Sequence, residues 1–199
     1  LEAHVGPKVQ DILLGVSAAL GAGMAGVLFV FLPTFLTGLL SQAVTLGRWP
    51  KVLIEAAIKL ALFLGYMALC SRMKEIRRMF QYHGAEHKTI ACYEAGEPLT
   101  VENIRKHTRF HPRCGTSFLI LVLLISILLY AVLPWSSIGL RVVCKLLLLP
   151  LLVAISYEVL KWSGRSNSLL ARAIAQPGLW LQRLTVFEPE DDMIEIAIA

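Results

Sequence analysis

Charge is what this sequence lacks. Only 17% of its 199 residues are Asp, Glu, Lys or Arg, against about 25% in an average soluble domain, and the deficit is concentrated. Neither an acidic nor a basic residue, histidine included, occurs in residues 12–47 or in residues 114–140. A helix needs roughly 20 apolar residues to cross the hydrocarbon core of a bilayer, and 18 already make a candidate span. These absences exclude an ordinary soluble domain and predict an integral membrane protein; a mean hydropathy of +0.66 agrees.

Other absences narrow the class further. Cys70 and Cys144 fall within predicted spans, and Cys92 and Cys114 lie in a loop assigned below to the cytoplasm, where thiols stay reduced, so the four cysteines do not suit a disulfide framework. Residues 1–11 lack the basic n-region of a secretory signal and an initiator methionine, so the chain reads as an expressed piece or a processed product. No nucleic-acid motif is present. The net charge of +5 comes from basic residues beside apolar runs, a placement that suits membrane topology and anionic headgroups and excludes nucleic acid as a partner.

Four spans are predicted. The first, residues 12–40, is interrupted by Pro33 and carries small residues in i, i+4 rows (Gly15, Ala19, Gly23 and Ala18, Ala22, Gly26) that let helices approach closely in lipid. Internal packing is the preferred reading of these rows, with a homo-oligomer face as the alternative. The second span, residues 52–71, opens with Glu55 and Lys59 in the favourable i, i+4 order, read as a snorkelling pair near the outer interface. The third and fourth cover residues 116–134 and 142–161, with Arg141 and Lys145 at one end of the fourth and Glu158 and Lys161 at the other. Trp49 and Trp135 lie in the two short connections and Trp162 and Trp180 follow the last span, where interfacial tryptophans belong. Nine Lys and Arg fall in residues 72–113, which puts that loop in the cytoplasm. An even number of spans then puts both termini there too.

The expected architecture is therefore all-α and polytopic, in the bacterial cytoplasmic membrane. Residues 1–71 form the first two spans, 72–115 a cytoplasmic helical hairpin, 116–162 the last two spans, and 163–199 an amphipathic tail. In the tail, Pro177-Gly178 reads as a helix break, and Asp192 with Glu195 has capping-box spacing. The tail helices are expected on the cytoplasmic membrane surface.

The loop carries the chemistry. Met73, Ile76, Phe80, His83, His87, Ile90 and Glu94 recur at 3-4 spacing and form one helical seam. Gly96 and Pro98 end that helix, Thr100 can cap a second one through Phe110, and Pro112 stops it. Antiparallel packing then brings His107, His111 and Cys114 to the level of His83 and His87. His83-Gly84-Ala85-Glu86-His87 also matches H-x-x-E-H, in which two histidines at i, i+4 hold one metal and the Glu between them is placed to activate a water at that metal. A further carboxylate ligand is expected from Glu158 or Glu94. Against this stands the bland reading of interfacial histidines bonded to carboxylates, with Cys92 a plain buried thiol and Cys114 a thiol or a ligand.

The stretches Tyr82-His83-Gly84-Ala85-Glu86-His87-Lys88-Thr89-Ile90, Leu99-Thr100-Val101-Glu102-Asn103 and His111-Pro112-Arg113-Cys114-Gly115-Thr116-Ser117-Phe118 resemble the YqhQ family of bacterial membrane proteins. So do Phe31-Leu32-Pro33-Thr34, Ser156-Tyr157-Glu158 and the run from Pro177 to Thr185. The resemblance implies a metal-dependent enzyme and ranks His111 above His107, which lies outside these motifs. It also implies a glycine-rich, strand-forming segment before the first span and a longer final helix, neither of which is in this sequence.

The leading expectation is a metal-dependent, hydrolytic membrane enzyme at the cytoplasmic interface. His83, His87 and His111 hold zinc or a similar divalent ion with Cys114, Glu94 or Glu158, Glu86 is the general base, and the substrate is membrane-proximal. The alternative is a scaffold or assembly factor with a structural metal. A transporter ranks third, because the spans hold few ionisable groups.

Overall fold

The computed structural model describes residues 7–166 and 168–199; the expectations for the first six residues, and Asn167 in the polar stretch after the last span, lie outside them. The described residues form helices joined by turns and short extended segments, with no strand among them. They divide into two compact units, Leu1–Phe63 with Leu133–Leu147, and Leu64–Val132 with Leu148–Ala199.

The first unit holds α1 (Pro7–Gly26), a π-helical segment (Val27–Phe31), α2 (Leu32–Ala43), most of α3 (Arg48–Cys70) and α7 (Ile138–Leu147). The interruption expected at Pro33 lies just ahead of it. Leu32 donates its N–H to Val27 O, a π-type bond. Pro33 has no N–H and its ring crowds the carbonyl four residues back, and widening the preceding turn accommodates that without breaking the helix. Val9–Ala43 and Arg48–Cys70 are long and apolar enough to cross a membrane.

Two expectations are corrected in this unit. The fourth span is broken at Leu148, because Pro150 opens α8 (Leu149–Arg165) and cannot continue the ladder from α7. The apolar helices therefore number two candidate spans, or three if α7 and α8 count as one; α6 (Gly115–Ala131) is apolar but shorter. The Glu55–Lys59 pair is not a snorkelling one. Both residues are buried, and Glu55 is ion-paired to Arg141 at 2.9 Å and to Lys145. Hydropathy set these two cations at the edge of a span, whereas α7 is strongly one-sided and turns both inward.

The second unit holds α4 (Lys74–Glu94), α5 (Val101–Lys106), α6, α8, α9 (Leu169–Thr185) and α10 (Asp191–Ile198). Helix α6 packs on α8 and α9, and α10 packs on α4 and α5. Thr100 caps α5 by accepting from Asn103 N, and Gly96, at φ 72°, ends the α4 helix by a turn that favours glycine. The second helix of the hairpin is shorter than expected. His107 is extended, and Thr108 Oγ1 accepts from Phe110 N, closing a local turn that competes with the helix.

The buried face of α4 also differs from the expected seam. Met73, Ile90 and Glu94 are exposed, while Gly84, Ala85, Lys88, Thr89 and Cys92 are buried. The cause is α10, whose Met193 and Ile194 join Ala85, Cys92 and Ile104 in one core. This helix starts from Glu190 with no side-chain cap, so the Asp192 capping box does not form. Nor does Pro177-Gly178 break its helix: α9 runs through it. A Cβ on Gly178 would meet Ser117 of α6, so the glycine serves close helix approach, and α9 buries one face on α6.

Gly84 has the same role for the segment between α9 and α10. Phe187 donates to Phe80 O at 3.0 Å, and a Cβ on Gly84 would run into the Phe187 carbonyl. Backbone atoms yield little to overpacking, so Gly84→Ala is expected to cost about 1–3 kcal/mol. A lowered melting temperature in detergent, with faster proteolysis between Val186 and Glu190, checks this; an unchanged melt would refute the close packing.

Candidate metal centre

His83 and His87 project from one face of α4, one turn apart. His87 Nδ1 lies 2.6 Å from Arg109 O, and His83 Nδ1 lies 3.3 Å from Thr185 O. A carbonyl can only accept, so this geometry assigns a proton to each Nδ1 and leaves each Nε2 facing inward. Metal-binding histidines are oriented by just such outer hydrogen bonds.

Cys114 completes the group from the N-cap of α6, where Thr116 N donates to its sulfur at 3.4 Å. Its Sγ lies 3.3 Å from His83 Nε2. The ligand atoms of His83, His87 and Cys114 all fall within 4.8 Å of one another. Zinc bonds to nitrogen and sulfur in a tetrahedron separate the donors by roughly 3.3–3.6 Å. The His83–Cys114 contact is already there, and the remaining contraction is small. Two nitrogens and a thiolate sulfur form a donor set that fits a zinc-like ion.

The electrostatics match. Burial alone would push the Cys114 thiol up, but hydrogen bonds from His83, His87 and both Thr116 donors outweigh it and bring the pKa to about 5. His83 is raised, chiefly by its bond to that sulfur and against its own burial. Sulfur and imidazole thus share a proton that a divalent ion would replace.

The other predicted residues fall around this trio. The His111 ring lies 5.7 Å from that of His87, but its Nδ1 accepts from Arg113 N and its Nε2 faces Glu94 at 3.5 Å. Burial lowers its pKa more than Glu94 raises it. Glu94 is ion-paired to Arg113. The structure thus brings His111 and Glu94 to each other, beside the trio. Glu86 is exposed on α4 and raises His83 through its charge. Glu158 lies on an exposed face of α8, 3.7 Å from Lys161 and outside the cluster. His107 and Cys92 meet Glu97 in a separate group at the hairpin turn.

Residue-level reading missed the wall that holds the trio. Gln182, fully buried on α9, accepts from His111 N at 2.9 Å and donates to His111 O at 2.7 Å and Ser117 Oγ at 2.9 Å. Thr185, three residues on, supplies the carbonyl that orients His83. A lone amide on an otherwise apolar helical face is the signal that could have found it. Lys88, buried next to His87, donates to Arg105 O at 3.0 Å and is ion-paired to Glu188, which also takes Arg109 at 3.1 Å.

Burial raises the Glu188 carboxyl, but Lys88 and Arg109 more than offset it and hold the group below the ordinary carboxylate range. A depressed folded pKa contributes stability that is full above the unfolded value, about 4.3, and is lost as pH falls toward the folded one. Glu188→Gln is therefore expected to lower the melting temperature at neutral pH and to flatten its decline in acid. Parallel pH dependence in the two proteins would remove Glu188 from the account.

A family model described as "Protein of unknown function (DUF1385)" matches residues 2–199. The "Uncharacterized protein YqhQ" of Bacillus subtilis (strain 168) is 38% identical over 193 residues, covering 92% of this chain and 60% of the relative. The chain thus spans about 60% of that relative's length. No solved structure matches.

Proposed function

We propose, from the premise that this chain belongs to the DUF1385 family, that it is a metal-dependent hydrolase working at the cytoplasmic face of the bacterial membrane. The observation that carries the reading is the convergence of His83 Nε2, His87 Nε2 and Cys114 Sγ, with both imidazoles anchored through Nδ1 to backbone carbonyls. Three protein ligands leave a fourth position open, as catalytic zinc sites do. An ion held there supplies Lewis acidity that lowers the pKa of water. Glu86 accepts a proton from solvent at the exposed edge of α4. His111, its ring 5.7 Å from that of His87, and Glu94, 3.5 Å from His111, would pass protons between the site and solvent. The substrate is membrane-proximal, since the site lies within the segment joining the apolar helices α3 and α6.

The direct test is elemental analysis of the purified protein, with cobalt substitution as the second readout. One equivalent of divalent metal, and a cobalt–thiolate absorption band that Cys114→Ser abolishes, is the expected result. A protein that neither retains zinc nor takes up cobalt overturns it. One observation favours a second reading, a scaffold with a structural metal: an ion at these ligands would also fasten α4, the N-cap of α6, Arg109 and Thr185 together.

The same proposal includes the topology. Four crossings, the last made by α7 and α8 together, put residues 72–115 and both termini in the cytoplasm. Lys74→Cys should then react with an impermeant maleimide only after cells are opened, and Trp49→Cys in intact cells; the reverse pattern would sink the orientation.

A further inference from the structure

The turn of the hairpin carries a second group of metal-binding side-chain types, separate from the trio on α4 and α6. Cys92 lies in the last turn of α4, Glu97 follows Gly96 in the connection, and His107 is the C-cap of α5. Their ligand atoms all lie within 4.8 Å of one another. By plane geometry, three such atoms enclose a point no farther than about 2.8 Å from any of them. Zinc bonds to sulfur, nitrogen and oxygen run from about 2.0 to 2.3 Å, so a small inward movement of the side chains closes the group on an ion. His107 Nε2 and Glu97 Oε2 are already 3.3 Å apart, as two donors of one tetrahedral ion are.

The backbone builds this group. Glu97 donates its N–H to Cys92 O at 3.2 Å, folding the connection back over the end of α4, and Gly96 at φ 72° permits that turn. Asn103 Nδ2 donates to Pro98 O at 3.1 Å and ties the connection to α5. The early end of α5 leaves His107 extended, which sets its imidazole beside Glu97. Cys92 Sγ is directed at the same turn, 3.9 Å from Glu97 O and 3.7 Å from Pro98 O, where a thiol is a weak donor. The sulfur is fully buried, whereas the His107 and Glu97 side chains are 19% and 45% exposed. An ion therefore reaches the sulfur from the solvent side, past the carboxylate. An ion pair accounts for His107 and Glu97 alone; the third donor is what makes a metal site.

We propose that the hairpin turn is a second site for a divalent ion of the zinc class, held by Cys92 Sγ, the Glu97 carboxylate and the His107 imidazole. One soft, one borderline and one hard donor suit zinc or cobalt(II), whereas calcium and magnesium take oxygen ligands. The site is weaker than the first centre. Burial pushes the Cys92 thiol up, so an ion has to displace its proton, and the carboxylate is shared with water. It therefore empties during purification, which leaves one equivalent at His83, His87 and Cys114, and refills when metal is added. When filled it fastens the end of α4 to the end of α5 and closes the turn.

The test uses the full chain in detergent with His83→Ala, His87→Ala and Cys114→Ser in place, so that failure at the first centre cannot be mistaken for failure here. Cobalt titrated into this protein is expected to bind one equivalent and to raise a cobalt–thiolate absorption band. Cys92→Ala should abolish the band. Glu97→Gln and His107→Ala should each weaken binding by about tenfold or more. Glu102→Gln, which removes an exposed charge of the same hairpin outside the group, should leave it unchanged. Zinc should also slow proteolysis at residues 95–99. If that background does not fold, a zinc titration of the native sequence decides: a second, weaker equivalent follows the first and is lost in His107→Ala. No uptake, a cobalt spectrum without the thiolate band, or equal weakening by Glu102→Gln overturns the proposal.

Discussion

The His83→Ala, His87→Ala double variant is expected to purify without metal. Two of the three converging donors are then gone, and Cys114 is left as a single thiolate. Losing even an outer-sphere partner of a metal ligand typically costs 10–100-fold in affinity; losing two ligands should cost on the order of 10³-fold or more. The single variants are expected to differ from each other. His87 borders His111, whose ring lies 5.7 Å away, so His87→Ala leaves a neighbouring imidazole that can turn inward. His83 contacts Cys114 directly, and its loss also removes the strongest partner of the sulfur. His83→Ala should therefore bind metal more weakly than His87→Ala, read as metal equivalents after dialysis at graded chelator. Full stoichiometry in the double variant would move the metal elsewhere, and the group of Cys92, Glu97 and His107 would be the first place to look.

The apolar helices were legible because the absence of charge over a long run has few explanations besides lipid. Residues 12–47 announced themselves in that way, and Val9–Ala43 is the corresponding helix. Arg141 and Lys145 show the limit of the method. A hydropathy window placed them at the edge of a span, yet their positions four apart on α7 and their burial against Glu55 are a tertiary fact. Nothing local distinguishes a cation that reaches outward from one that reaches toward a distant carboxylate.

The hairpin was legible for a different reason. Gly96, Pro98 and Thr100 act on their own backbone, so the turn and the cap of α5 can be written from the sequence. The face of α4 cannot, because α10 and the segment ahead of it cover Ala85, Lys88 and Cys92 from more than 90 residues away in sequence. Distance in sequence also hid Gln182 and Thr185, 71 residues from His111 and 102 from His83. Their function is to hold His111 and His83 in place, and a partner's need for a wall leaves no periodicity of its own. Cys114 is a gentler case. Its sequence neighbours offered a thiol as readily as a ligand, and what favours the ligand is the N-cap geometry together with two imidazoles.

Glu86→Gln is expected to keep the metal and lose the reaction. Glu86 is exposed and outside the trio, so its amide replacement removes a base without removing a donor. It is isosteric and stays on the helix surface, so the fold should be unaffected. General-base removal typically costs 10²–10⁴-fold in rate, while metal equivalents, cobalt spectrum and melting temperature should match the wild type. The pair of readouts separates the two functional readings, because a scaffold that uses the ion only to fasten α4 to α6 should tolerate Glu86→Gln in every assay, including complementation of a deletion strain. An enzyme should fail complementation with its metal in place. Loss of metal in Glu86→Gln would instead make the carboxylate a ligand, closing the open position on which the hydrolytic reading depends.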